Sequence, residues 1–143
     1  MKTVFRIVLI MTLLYSGMRW YARTTEKNID EALPVDAGKA LRVGTFAGTN
    51  SAGDSRGSVS EYSVHGRRFL HFENFFVTNA PGLRVFLSES GVTASSSMMI
   101  AKLKGNSGNQ NYDIPPEAAL RVLDTVVIQS KLLGTVYAKA TLK

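Results

Sequence analysis

The sequence predicts an all-β domain, an antiparallel β-sandwich or flattened barrel of jelly-roll type, preceded by an N-terminal apolar helix. Three observations predict it. From Leu41 onward apolar and polar residues alternate with a period of two, the mark of half-buried strands. Clusters of Gly, Ser, Asn and Pro interrupt that alternation at short intervals, as in sandwiches and barrels. One apolar run fills the N-terminus. The 143 residues suffice for one domain with a real core.

Lys2 and Arg6 precede an apolar stretch from Ile7 to Tyr15, and Arg19 closes it. A basic start followed by about a dozen apolar residues has the shape of a secretory signal. Gly17 and Ala22 are preceded two positions earlier by Tyr15 and Trp20, which suit a signal protease badly. An uncleaved signal-anchor is therefore preferred to a cleaved signal peptide over residues 1–23. Residues 4–21 would extend about 27 Å as a helix, enough to span if Arg6 and Arg19 snorkel and Trp20 and Tyr21 sit at the interface. Either way the folded part is expected outside the cytoplasm. It would be held at the cytoplasmic membrane by the helix, or secreted or periplasmic if the signal is cut. Residues 24–40 mix charge with Pro34 and Gly38 and read as a linker or stalk, with at most a short helical turn at 29–33.

Residues 41–143 form the β-domain. Leu83, Val85 and Leu87 share one face of a strand, and Val136, Ala138, Ala140 and Leu142 share one face of another. Further strands are expected at 43–47, 57–64, 67–77, 99–103 and 125–130. Turn chemistry separates them: the small polar residues of 48–57, His65-Gly66, Asn79-Ala80-Pro81-Gly82, and the loop 88–97. Pro81-Gly82 suits the centre of a type II turn. Pro116 fits a first helical position and Glu117 complements the dipole there, so one or two helical turns are expected over 116–123.

The net charge of +6 is spread along the chain without a basic run. Attraction to an anionic surface is the partner class it allows. Arg67, Arg68, Lys102 and Lys104 are candidates for such a contact, though each also serves simply as a solvated charge. Aromatic residues do not interleave with a basic patch, so no nucleic acid partner is expected. Cysteine is absent, which excludes disulfides, thiolate metal sites, covalent haem attachment and a lipid anchor on cysteine. His71 and Glu73, two apart on one strand, form a candidate polar site, but two ligands do not make a metal centre. There is no Gly-x-Ser-x-Gly, the carboxylates are scattered, and Gly105-Asn106-Ser107-Gly108 lacks the Lys-Ser/Thr of a phosphate loop. The residues thus indicate no enzyme and name no cofactor.

Several stretches together resemble the electron-transfer DM-thirteen domain, a small β-rich extracytoplasmic module. They are Phe72-Glu73-Asn74-Phe75, the run from Thr78 to Leu87, Leu103-Lys104-Gly105-Asn106, the run from Gly108 to Pro115, and Thr125-Val126-Val127-Ile128. The motif positions are Asn79, Pro81, Leu83, Gly105, Gly108, Gln110, Tyr112 and Pro115, with Ser130 where the family carries a cysteine. The resemblance implies a membrane or cell-surface setting and an electron-transfer or cofactor-binding role. Serine lacks thiolate chemistry, and Ala80-Pro81-Gly82 replaces the family's Gly-Pro-Asp. The function expected is therefore a membrane-tethered extracytoplasmic β-sandwich that binds a protein or anionic surface partner. Electron transfer or cofactor binding is the alternative. In Gly108-Asn-Gln-Asn-Tyr-Asp-Ile-Pro-Pro-Glu117, an extended segment from Gln110 should carry Tyr112 and Ile114 on one face. The prolines should end pairing, and the amides should satisfy irregular backbone.

Overall fold

A computed structural model of the chain describes residues 1–24, 26–49, 52–90, 97–120 and 122–143. Helix α1 covers Lys2–Thr24, and the strands are β1 Asn28–Asp30, β2 Arg42–Thr45, β3 Ala47–Gly48, β4 Ser55–Val64 and β5 Arg67–Val77. They continue with β6 Leu83–Ser88, β7 Met98–Lys102, β8 Ser107–Ile114, β9 Thr125–Ser130 and β10 Val136–Thr141. These form two five-stranded sheets, ordered β1-β8-β5-β4-β2 and β3-β10-β9-β6-β7, in a sandwich-like, mostly β architecture. Neighbours are antiparallel except β1 and β8, which run parallel.

Local chemistry sets the turns. His65 (φ 49°) and Gly66 (φ 80°) join β4 to β5, with Val64 opposite Arg67. Two successive positive φ values give the type I′ geometry whose twist matches that of paired strands. After Pro81, Gly82 has φ 69°, as the third position of a type II turn requires.

The alternating residues meet between the sheets. Val59, Leu70, Phe72, Val77, Val85, Val126, Ile128 and Ala138 are wholly excluded from solvent. Phe46 sits edge-on to Phe72 and Phe75, each at 4.9 Å between ring centroids, a favoured aromatic geometry. Near one end of the inner face, Glu61 is completely buried and bridges Arg42 and Arg68. Arg42 also donates to the Leu123 carbonyl at 3.0 Å. Two guanidinium groups thus satisfy both carboxylate oxygens, the condition for tolerating a buried charge.

The structure departs from expectation at four places. Asn28–Asp30 is a strand, not a helical turn in a stalk, because its backbone pairs with β8. Ala37, also inside the expected linker, is buried. The strand expected at 43–47 is split, since Phe46 turns its side chain into the core between β2 and β3. β8 starts at Ser107, three residues before the extended segment expected from Gln110. Past β8, a 3-10 turn at Pro116–Leu120 stands where one or two helical turns are expected. Most of the expected loop 88–97 lies outside the described residues.

Along α1, Ile7, Val8, Leu9, Ile10, Leu13 and Leu14 are each more than half exposed. Two of its hydroxyls are satisfied within the helix: Thr12 Oγ1 donates to the Leu9 carbonyl at 2.8 Å and Ser16 Oγ to that of Leu13 at 3.0 Å. Among the described residues, no helix is long and apolar enough to cross a membrane. The Arg19 and Tyr21 side chains, expected at the lipid interface, lie outside the described residues.

Candidate functional site: a basic pocket beside a polar strap

The run 108–117 is a hub of internal hydrogen bonds. Gln110 is completely buried. Its Nε2 donates to the carbonyls of Gly105 (2.9 Å) and Ser107 (3.2 Å), while its Oε1 accepts from the Tyr112 hydroxyl at 2.5 Å. The Tyr112 oxygen in turn accepts from the Lys104 amide at 2.9 Å. Burial pushes the Tyr112 phenol well above its ordinary range, and the Glu31 carboxylate adds to this against the opposing Lys104 amide. Its hydroxyl therefore stays protonated and holds the turn. Pro115 follows the last residue of β8 and leads into the 3-10 turn, consistent with its lack of an N–H donor.

Residues 26–37 lie over the outer side of this hub as a strap. Asn109 Oδ1 accepts from the Asn74 amide and Nδ2 donates to Asp30, both at 2.9 Å. Asn111 donates its amide to Glu31 (2.7 Å) and its side-chain nitrogen to the Ala32 carbonyl (2.9 Å). Glu31 also takes both oxygens to Lys104 Nζ, at 2.8 and 2.7 Å. Partial burial would raise the Glu31 pKa, but the Lys104 and Asn111 bonds outweigh it and hold the carboxyl below its ordinary value.

Glycine is required where the strap crosses. A Cβ on Gly105 would stand 2.3 Å from the Lys27 carbonyl oxygen, and one on Gly108 1.8 Å from that of Ile29. Gly108 has φ 94° in addition. Both glycines therefore exist to admit the strap, Gly108 at the backbone of β1 and Gly105 at Lys27 just before it.

His71 and Glu73 are not brought together into a site. His71 is buried, with Nδ1 at 2.6 Å from Asn111 Oδ1, whereas Glu73 is exposed and precedes Asn74, whose φ of 50° marks a bulge. Among the described residues no group of three His, Cys, Asp or Glu stands close enough to hold a metal. Ser130, singled out in the sequence, is completely buried. It donates to the Pro81 carbonyl at 2.7 Å and accepts from the Leu133 amide at 3.0 Å. Here it ties two turns together.

The four basic residues singled out by sequence meet different fates. Arg67 pairs with Asp113 at 2.9 Å, Arg68 with Glu61, and Lys104 with Glu31. Among the described residues, Lys102 alone of the four has no carboxylate partner. It borders a pocket of about 220 Å³ together with Lys27, Arg84, Asn79, Leu83 and Gly105. Motif positions Asn79, Leu83 and Gly105 thus gather at one place, which their separation in sequence conceals. Among the described residues, no Asp or Glu lines the pocket, and neither Lys27 nor Arg84 makes an ion pair. Lys27 and Arg84 were not singled out by sequence. The outward position of Arg84, between inward Leu83 and Val85, is the one signal that could have marked it.

Pocket geometry is fixed from behind by Asn106, which is 4% exposed. Its Oδ1 accepts from the Lys27 amide at 2.7 Å, its Nδ2 donates to the Val77 carbonyl at 3.5 Å, and its own carbonyl accepts from the Val77 amide at 2.9 Å. The arrangement offers cationic side chains on a held backbone, a combination suited to binding an anion. No family model, curated protein or solved structure matches this chain.

Proposed function

We propose that this chain is a membrane-tethered, extracytoplasmic β-sandwich module that binds a surface component, without thiol chemistry. Helix α1 carries the proposal. Its apolar side chains from Ile7 to Leu14 stay more than half exposed instead of packing on the domain. Leaving several such side chains in water forgoes about 1.5–3 kcal/mol each, which transfer into lipid recovers. Thr12 and Ser16 bond their own helix, as a hydrocarbon surrounding demands. The run between Arg6 and Arg19 is about 18 Å long, shorter than a hydrocarbon core of about 30 Å. The helix is therefore held in the lipid with Arg6 at headgroup level. The basic start and the resemblance to DM-thirteen domains support placing the sandwich outside the cytoplasm.

Flotation of the full chain with phosphatidylcholine vesicles tests the tether. Wild type is expected to rise with the lipid. The double substitution Leu9→Asp, Leu13→Asp is expected to lower the bound fraction more than tenfold, since each buried carboxylate costs about 2.5–3.5 kcal/mol. A wild-type chain that stays with the soluble fraction refutes the tether.

A further inference from the structure

We infer that the pocket bounded by Lys27, Arg84 and Lys102 binds the phosphate group of an anionic phospholipid headgroup. The inference rests on the tethered reading above and names the ligand of that module.

Three independent features support it. First, Arg84 and Lys102 stand directly opposite each other on antiparallel β6 and β7. Like charges directly opposite destabilise a sheet, and among the described residues no carboxylate lines the pocket to relieve them. An anion seated between them would. Second, Lys27 is not on a loose tail: its amide is held by buried Asn106, and its carbonyl accepts from the Ser107 amide at 3.4 Å. The backbone that carries the third cation is therefore fixed before any ligand arrives. Third, Lys27 follows the last helical residue, Thr24, by three positions. Three residues reach at most about 10 Å. A helix held in lipid thus leaves the pocket at the depth of the headgroups.

The chemistry matches in kind. A guanidinium presents a planar fork of donors, and two ammonium groups add point charge, the combination that suits tetrahedral phosphate oxygens. The pocket is small, about 220 Å³, which favours one phosphate over an extended polymer. Lys104, on its border, is occupied by Glu31 and supplies wall rather than binding charge.

Sedimentation of the full chain with two kinds of vesicle separates the pocket from the tether. Binding to pure phosphatidylcholine reports the helix. The additional binding when phosphatidylglycerol is included reports anion recognition. Lys102→Gln is expected to reduce that addition about fivefold, and Lys27→Gln with Lys102→Gln more than tenfold. Lys139→Gln, the same charge loss elsewhere on the domain, is expected to change it less than twofold. Thermal unfolding identifies any variant that fails to fold, and Arg84→Gln then supplies the second reading of the pocket.

Equal losses from pocket and control variants would reduce the effect to general charge and overturn the inference, as would no loss from either. Millimolar inorganic phosphate that abolishes the addition would make a soluble anion the ligand and overturn the lipid source. A chain that ignores phosphatidylcholine but keeps a pocket-dependent preference for phosphatidylglycerol refutes the tether and sustains the pocket.

Discussion

Lys102 and Lys104 leave the same end of β7 two residues apart and meet opposite surroundings. Lys104 reaches Glu31 at 2.7 Å and lies 5.3 Å from the centre of the Tyr112 ring. Lys102 faces Arg84 across the ladder and, among the described residues, no acid lines the pocket beside it. On the strap side charge and hydrogen-bonding groups are matched; on the pocket side positive charge accumulates unmatched. Matched polar groups are what a fold needs to hold itself together. Unmatched charge held on a rigid backbone is what a fold keeps for something outside it.

The largest effect should come from unmatching a matched charge. Glu61→Gln leaves Arg42 and Arg68 facing a neutral amide at a fully buried position and is expected to cost about 3 kcal/mol, measured by urea unfolding. Next comes Gly108→Ala, which forces a Cβ against the Ile29 carbonyl at a positive φ. It should cost about 2 kcal/mol. Faster hydrogen exchange should appear at Glu31 and Asn111, the amides that fasten the strap.

Acid should loosen the same strap more gently. The Glu31 carboxyl has a lowered pKa in the fold, so its contribution is full above its ordinary value of 4.5 and is lost as pH falls through the lowered one. Exchange at the Asn111 amide should therefore rise below about pH 4.5, and Glu31→Gln should remove that pH dependence. The smallest effect has the opposite sign. Lys102→Glu places an acid opposite Arg84 and is expected to raise stability by about 0.5 kcal/mol, read from Tm. The same substitution should abolish the preference for anionic vesicles. Greater stability with lost binding marks a residue kept for a ligand.

Much of this architecture is legible in the chain because period two and turn chemistry are local. β5, β6 and β9 fall where alternation places them, and His65-Gly66 makes the expected hairpin. β1 is not legible: it is only three residues long, Asn28-Ile29-Asp30, and its pairing is dictated by Gly105 and Gly108 some eighty positions away. The site divides in the same way. Lys102 is visible as a basic residue, but the acids that occupy Arg67 and Lys104 are distant in sequence, as is the register that sets Arg84 against Lys102, while Arg68 meets Glu61 only across the β4–β5 hairpin. Lys27 is hidden deepest, because its place depends on buried Asn106.

The central claim is that α1 lies in lipid and brings the pocket to its surface. Trp20 is the chain's only tryptophan and is 69% exposed, so its fluorescence reports the helix directly. On adding phosphatidylcholine vesicles to the full chain, Trp20 emission should shift to shorter wavelength, and brominated acyl chains should quench it. Emission unchanged at saturating lipid, with no quenching, would contradict the account.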